Sequence, residues 1–447
     1  MKKYFFLCLI LIFGISSYSR LYAEDEYSND NMSKIKFTGS GYMMFGQVVS
    51  GHTHSNQSEC FVENHWQNSY AGRVNFLSEP TEWFKTKISL EIASTWPLVR
   101  EGSIMKEIYK SQFSANLPQA VGILDFDFNF MSFMFEMGMM EYAFNKEVKN
   151  LGNYLYRSQA YPLFLTTNLD YIYSNLLGIR PEFGFLDNSL KVSAMLNFNT
   201  LKPPFFDINL GFFFSYITPK KFFDVGLGMC LDRFIAMDPE KTDADNLPDI
   251  ITDSSLTFRS TKFDARFTFD PKVFFSNNSI FGPNDLKFYA ETAILGIKDP
   301  DYYPKDPGGY PLATDTLFPR PSLWHRIPIM IGVNIPTFKA LDYFTVEFEY
   351  LKYPYAFNWW GPNSGNPTPQ IIDVQNSKRW IKNYKDRDNI KWTVYIKKSI
   401  SNLDIIALFG NDHITYPTFN AESHTNTEQS LRTNWDGHWY LKLQYNL

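Results

Sequence analysis

The chain has 447 residues and a formal net charge of −5, which argues against a nucleic-acid partner because phosphate binding needs a clear cationic excess. Aromatic residues make up 18% of the chain, with 42 Phe and 27 Tyr, yet the mean hydropathy is only −0.27. A soluble domain with this much Phe would need a very large core. A membrane barrel can instead place the rings against lipid, while polar residues of its lumen and loops lower the average.

The first 23 residues predict export. Lys2 and Lys3 form a positive start, residues 4–15 are apolar over the length of a signal peptide, and Ala23 offers a small residue for cleavage. We therefore expect a signal peptide at 1–23 and a short periplasmic segment at 24–34. No later stretch contains eighteen uninterrupted apolar residues, so the sequence does not predict a helical inner-membrane protein.

Strict alternation of apolar and polar residues is the main structural signal. Helical periodicity cannot produce runs with this two-residue repeat, which indicates strands with one apolar and one polar face. Further runs of the same kind lie at 124–130 and 207–216. The clearest run places its apolar side chains at Leu190, Val192, Ala194, Leu196 and Phe198.

The same template fits the chain from residue 35 onward. It predicts about sixteen strands, within a range of about fourteen to eighteen, each of roughly ten to thirteen residues. Because bacterial barrels have an even number of strands, we expect an all-β, up-and-down transmembrane β-barrel over 35–447. The expected strands begin near Ile35, Ser69, Phe84, Ala120, Phe133, Asn175, Leu190, Phe206, Phe222, Arg259, Leu286, Ile327, Asp342, Ile390, Leu403 and Trp435.

The lengths of the links between these strands support the barrel. Links after even-numbered strands are mostly short and turn-like, as at 78–81, 186–189, 218–221 and 399–402. Links at 200–205 and 271–285 break this pattern. Short turns at one end and long loops at the other are typical of outer-membrane barrels. The long, polar links after odd-numbered strands are 49–68, 95–119, 146–174, 235–258, 298–326, 354–389 and 413–434.

The last predicted strand carries the most specific local signal. It resembles the C-terminal strand by which outer-membrane barrels of Gram-negative bacteria are recognised, although that pattern usually ends in an aromatic residue. The resemblance implies that the barrel-assembly machinery inserts the chain into outer-membrane lipid. The layout as a whole is similar to that of porins, which implies a homotrimer. The residues that carry the resemblance are Gly437, Trp439, Leu441, Leu443, Tyr445 and Leu447.

The polar faces of the strands would line the lumen and tune ion selectivity through their charges. Both signs occur, with carboxylates somewhat ahead, so the sequence predicts a weak preference for cations. The alternative is that these polar residues are the solvent-facing sides of sheets in a soluble protein. So many strands of this length would then need several stacked sheets, each with edge strands protected from pairing with other chains. The candidate pore-lining residues are Asp125, Asp127, Glu136, Arg157, Arg180, Arg266, Glu347 and Glu349.

The link at 146–174 is too apolar for a loop that moves freely in water. In classical porins the loop after the fifth strand folds into the lumen, and this link has the same place in the order of strands. An inward fold would set Arg157 near Asp125, Asp127 and Glu136 as a constriction. The alternative is a cap on the outer mouth of the barrel, stabilised by the same rings.

Other chemistry has weaker support in the sequence. His52, His54, His65 and Cys60 match no standard zinc spacing, and the histidines have no recognisable nucleophile motif beside them. We therefore predict no metal, no cofactor and no enzymatic activity. The aromatic patch at 353–360 could stack on sugars, but an interfacial girdle is the more ordinary role for such rings.

These features together predict a function. The expected protein is an outer-membrane porin-like channel for passive diffusion of small hydrophilic solutes. The alternative is a non-conducting surface barrel that acts as an adhesin or a structural protein through its long loops. Nothing in the sequence identifies the solute.

Overall fold

The computed structural model describes residues 34–50, 66–98, 112–156, 174–198, 207–236, 260–275, 278–295, 297, 323–350, 390–411, 415–420, 425–430 and 437–447. These residues form eighteen strands and three short 3₁₀ helices. The 3₁₀ helices are Pro271–Phe274, Asn278–Ile280 and Leu323–Arg326. The strands are β1 (Lys34–Ser50), β2 (Trp66–Thr81), β3 (Phe84–Leu98), β4 (Gln112–Phe128), β5 (Met131–Tyr142), β6 (Ser174–Phe185), β7 (Leu190–Phe198), β8 (Asp207–Ile217), β9 (Phe223–Ala236), β10 (Ser260–Phe269), β11 (Lys287–Ile294), β12 (Ile329–Asn334), β13 (Tyr343–Tyr350), β14 (Ile390–Ile400), β15 (Leu403–Asn411), β16 (Thr415–Asn420), β17 (Thr425–Ser430) and β18 (Gly437–Asn446).

Sixteen of the strands form one closed antiparallel barrel. Strands β1 to β15 follow one another around the wall, and β18 lies between β15 and β1. The closing pair runs from Ser40 opposite Asn446 to Ser50 opposite Gly437. The prediction of an up-and-down barrel of about sixteen strands is therefore confirmed, and all sixteen predicted strands are present.

Two details differ from the sequence-based expectation. Strand β4 begins at Gln112 rather than near Ala120, and its pairing with β3 shifts register between Ser89 and Glu91. The alternation is interrupted there, because a residue inserted into one strand turns later side chains to the opposite face. Strands β16 and β17 form a separate hairpin inside the predicted link 413–434.

Side-chain exposure follows the two faces of the wall. On β8, Phe212 and Phe214 are 44% and 41% exposed, whereas Phe213 between them and Asn209 nearer the start of the strand are buried. The exposed rings continue around the outside of the barrel from strand to strand, as where Phe126 stacks on Phe133 with ring centroids 6.3 Å apart. An apolar outer surface of this kind is suited to lipid contact.

The short links lie at one end of the barrel, here called the short-turn end. Two links at this end, between β10 and β11 and between β12 and β13, are joined by Asp285. The carboxylate accepts hydrogen bonds from the backbone N–H groups of Gly282, Thr337 and Phe338 at 2.7, 3.2 and 3.0 Å. Burial alone would raise the pKa of Asp285, but these hydrogen bonds lower it below its ordinary value.

Several predicted segments lie outside the described residues. They include the signal peptide 1–23, nearly all of the periplasmic segment 24–34 and most of each long link other than 413–434. Their assignments stay predictions. Among the residues that are described, no helix has the length and apolarity needed to cross a membrane.

Candidate functional site

A segment that follows β5 lies inside the barrel. Residues 143–156 leave the end of β5 and pack against inward-facing side chains of β11 and β12 on the far wall, including Tyr289 and Met330. Val148, Leu151 and Tyr154 are at most 1% exposed. The inward fold predicted for the link 146–174 is confirmed for its described part. We call residues 143–156 the inner segment.

Glu347 on β13 is the main anchor of the inner segment. Its carboxylate accepts hydrogen bonds from three consecutive backbone N–H groups, those of Lys149, Asn150 and Leu151, at 2.6, 2.9 and 2.8 Å. The Tyr289 hydroxyl donates a further bond at 2.6 Å. Consecutive N–H groups that converge on one anion form a concave anion-binding nest. The barrel wall here supplies the anion, so the buried backbone of the segment is satisfied.

Two further carboxylates on the same wall bind the two ends of the inner segment. Glu291 on β11 accepts bonds from the Asn145 side-chain amide at 2.9 Å and from the Tyr154 backbone N–H at 3.0 Å. Glu349 accepts a bond from the Tyr154 hydroxyl at 2.8 Å. All three carboxylates are at most 1% exposed. Strands β10 to β13 are therefore called the buried wall.

The inner segment reaches close to the short-turn end. Lys287, the first residue of β11, forms an ion pair with Glu147 at 2.9 Å. The Lys149 ammonium lies 4.5 Å from the centre of the Tyr343 ring at the start of β13. The segment thus runs down much of the inside of the barrel before it turns back toward Glu291.

Small residues on β8 and β9 make room for the inner segment. A Cβ at Gly211 would lie 2.2 Å from the Tyr156 hydroxyl, and one at Gly228 would lie 2.6 Å from Leu155. Around these glycines the segment joins an apolar cluster that includes Phe213. The inside of the barrel along β6 to β9 is therefore packed with apolar side chains at this level.

Nearer the short-turn end, the inner side of β5 to β7 carries ion pairs instead, and this part is called the solvated wall. Arg180 on β6 pairs with Glu136 at 2.7 Å and with Glu182 at 3.4 Å, and Lys191 pairs with Glu182 at 3.0 Å. The Lys191 side chain is 42% exposed and that of Arg180 is 17% exposed. Arg73 on β2, which is separated from β5 by β3 and β4, makes two hydrogen bonds to Glu141 on β5 at 2.7 and 3.0 Å.

The predicted constriction charges are distributed over several places. Glu136 and Arg180 form the ion pair of the solvated wall. Asp125 pairs with Lys85 at 3.2 Å, while Asp127 is exposed near the short-turn end. The described part of the inner segment approaches neither of these carboxylates, because it crosses to the opposite wall. Arg157 lies outside the described residues, so its position stays a prediction.

The other three candidates contact the inner segment. Arg266 on β10 pairs with Asp224 at 2.8 Å and lies beneath Phe144, with its guanidinium 5.1 Å from the ring centre. Glu347 and Glu349 bind the segment as described above. These two acids were predicted as lumen charges that need no partner, but they are hydrogen-bonded and buried because the segment covers them.

Sequence reasoning did not identify several residues of this site. Asn145 and Tyr289 have no local sequence signal that marks them as residues of this site. The Tyr-rich run at 154–156 was the usable signal, since it predicted that the link packs against something. It did not indicate which wall.

The predicted assembly strand is β18, which completes the closed barrel. Trp439 packs edge-to-face against Trp66 and Phe45, with ring centroids 5.7 and 6.2 Å away. Leu441 and Leu443 alternate with more buried neighbours, and Tyr445 and Leu447 are exposed. The backbone N–H of Leu447 donates to the Gly39 carbonyl at 2.7 Å. Gly437 pairs opposite Ser50. Recognition by assembly machinery stays a prediction.

The candidate metal-binding and sugar-binding residues lie outside the described part of the chain. The first long link with its histidines and Cys60 is not described, and neither is the aromatic patch at 353–360. Within the described ranges, no group of three or more His, Cys, Asp or Glu residues has a metal-binding arrangement.

Comparison with known proteins gives likenesses at the level of structure. No protein-family model and no curated protein matches the sequence. A triple mutant of Rhodopseudomonas blastica porin aligns with a TM-score of 0.42 and 8% identity, over 93% of this chain and 100% of the porin. OmpF of Salmonella typhi, in a complex with daunomycin, aligns with a TM-score of 0.46 and 8% identity, over 94% of this chain and 99% of OmpF.

Proposed function

We propose that the protein is an outer-membrane porin-like channel through which small hydrophilic solutes diffuse passively, and that the inner segment narrows its lumen. The observation that carries this proposal is the contrast inside the barrel. The inner segment binds the buried wall, whereas ion pairs of the solvated wall keep up to 42% of a side chain exposed. Charges that stay hydrated inside a lipid-suited barrel are expected of an aqueous path.

The proposal includes neither enzymatic activity nor a cofactor. The rival, a non-conducting adhesin or structural barrel, depends on long links that lie outside the described residues, so no structural observation favours it. We infer from the porin-like layout that the protein assembles as a homotrimer. The mass of the detergent-solubilised folded protein would test this oligomeric state.

Single-channel conductance in planar bilayers tests the proposal. We expect discrete conductance steps from the purified, folded protein. Replacing residues 151–165 with a short Gly/Ser linker should raise the step size and weaken ion selectivity, because the constriction is removed. Shortening the β16–β17 hairpin is the control and should leave the step size unchanged. A folded, inserted wild-type protein without conductance would refute the channel.

The C-terminal strand is proposed to serve assembly into the outer membrane. Deleting residues 445–447 removes the pairing of Tyr445 with both Gly41 and Leu403, so the barrel could not close fully in lipid. We expect loss of the folded form, measured by heat-modifiable gel mobility. A normal folded yield of the truncated chain would contradict this role.

A further inference from the structure

Asp264 is a buried acid in the middle of β10. Its side chain faces into the barrel, its residue is 3% exposed, and its neighbours across the strands are Gly228 on β9 and Ala293 on β11. Neither carboxylate oxygen has a hydrogen-bond donor within the described part of the chain. A buried ionised carboxylate without donors is costly.

The neighbouring polar group is the carboxyl of Glu291. Arg266 lies directly opposite Glu291, and Asp264 is two residues before Arg266 on the same inner face. Asp264 and Glu291 are therefore diagonal neighbours. Diagonal neighbours on one face of a sheet are within reach of long side chains, so the register permits a hydrogen bond between the two carboxyl groups. Ionised carboxylates are acceptors only, so this bond forms only if one of the pair carries a proton. Two adjacent buried carboxylates cannot both ionise without strong repulsion.

Glu291 is the better placed of the two to be the acceptor. It already accepts bonds from Asn145 and from the Tyr154 backbone, at 2.9 and 3.0 Å. Both donors favour a negative charge on Glu291. The proton therefore belongs on Asp264, which has no such donors. Other charged or titratable groups facing the pair are Lys262 and Arg266 on β10, Glu349 on β13, Tyr142 on β5 and Tyr154 of the inner segment.

The Arg266 guanidinium does not neutralise Asp264 by direct contact. It is directed toward β8 and β9, where it pairs with Asp224 at 2.8 Å and donates to the Ser215 hydroxyl at 2.7 Å. Asp224 is thus the partnered acid and Asp264 the donorless acid on the same stretch of wall. This contrast makes Asp224 a suitable control.

We propose that Asp264 is a positioning residue that carries a shared proton and donates a hydrogen bond to Glu291, which in turn holds the inner segment. The inference deepens the proposed channel function, since the segment is the proposed constriction. Loss of the proton would place two negative charges in contact. Repulsion would then move Glu291 away from Asn145 and Tyr154 and loosen the segment.

Infrared spectroscopy tests the shared proton without reference to transport. A protonated carboxylic acid has a carbonyl band that an ionised carboxylate lacks. We expect this band in the folded wild type at neutral pH, its loss in Asp264→Asn, and its retention in Asp224→Asn. Absence of the band from wild type, or its persistence in Asp264→Asn, would overturn the proposal.

Conductance as a function of pH tests the positioning role. Asp264→Asn keeps a donor toward Glu291 but cannot ionise, so it should lack a conductance rise that wild type and Asp224→Asn show as the pH is raised above neutral. Asp264→Ala, which has no charge to repel Glu291, should also lack the pH-dependent rise. The same pH profile in wild type and Asp264→Asn would overturn the role. A wild type with the acid band but no conductance would refute the channel and leave the shared proton standing.

Discussion

The solvated wall and the buried wall use the same residue types in opposite ways. On β5 to β7, Glu136 and Glu182 bind the Arg180 guanidinium, and the pairs remain in contact with solvent. On β13, Glu347 binds backbone N–H groups and is fully buried. An inward-facing glutamate in this barrel is therefore either a lumen charge or an anchor for another segment, and its surroundings decide which.

The difference has an energetic reason. Exposed ion pairs contribute little to stability because water and salt screen them and ordering their side chains costs entropy. A buried carboxylate needs several donors to offset its desolvation. Glu347 has five, if the Thr393 hydroxyl at 3.4 Å is included. The buried wall should therefore respond far more strongly to mutation than the solvated wall.

Removing the main anchor should have the largest effect. Glu347→Ala leaves three consecutive buried N–H groups without their acceptor, and we expect a loss of roughly 3–5 kcal/mol in the free energy of unfolding. Urea unfolding followed by heat-modifiable mobility measures it. Glu79→Gln is the control, because Glu79 is paired with the exposed Lys36. Similar losses in both variants would erase the distinction between the anchor and a surface charge.

A smaller effect is expected where the inner segment meets the glycines. Gly211→Ala puts a methyl group at the position of the Tyr156 hydroxyl, so the ring must move, at a cost of about 1–3 kcal/mol. Faster proteolysis within residues 143–156 would report the displaced segment. The matched control is Gly72→Ala on β2, because a Cβ there has nothing within 4 Å. Equal resistance to proteolysis in wild type and Gly211→Ala would show that the inner segment does not pack tightly against Gly211.

On the solvated wall we expect the stability change to be minor. Lys191→Gln should cost no more than about 1 kcal/mol, since the Lys191 side chain is 42% exposed and its pair with Glu182 keeps contact with water. It should nevertheless move ion selectivity toward cations, because Glu182 loses one of its cationic partners. Reversal potentials across a salt gradient measure this shift. A large loss of stability without a change in selectivity would reverse the roles given to the two walls.

The weakest expected effect is a loss of stability at acidic pH that depends on Asp285, in the link between β10 and β11. Because folding lowers the pKa of Asp285, its contribution to stability is complete above the unfolded pKa and is lost as pH falls through the folded pKa. Wild type should therefore lose stability below about pH 4, and Asp285→Asn should lose less. Unfolding midpoints in urea at neutral and acidic pH measure the difference. Asp187→Asn, in an exposed turn, should behave as wild type.

Alternation of apolar and polar residues was sufficient to predict the strands of the barrel. It was not sufficient to predict the contacts inside the lumen. The two-residue repeat shows which face of a strand is polar, so strands such as β7 and β8 were located almost to the residue. It carries no information about contacts across the lumen. The sequence-based expectation placed the inward link beside Asp125 and Asp127, whereas its described part binds Glu347. The direction in which a chain crosses the lumen depends on packing of residues that are distant in sequence, such as Tyr154 and Glu291.

The pairing of Tyr42 with Gln444 joins strands from opposite ends of the chain. Contacts between such distant residues form slowly, because a long loop must close before they contribute. Until β1 meets β18, two strand edges with apolar outer faces remain open to other chains. The longest-lived folding intermediate should therefore be an open sheet prone to aggregation. A chaperone that binds unpaired strand edges should raise the yield of folded protein more than one that binds loops.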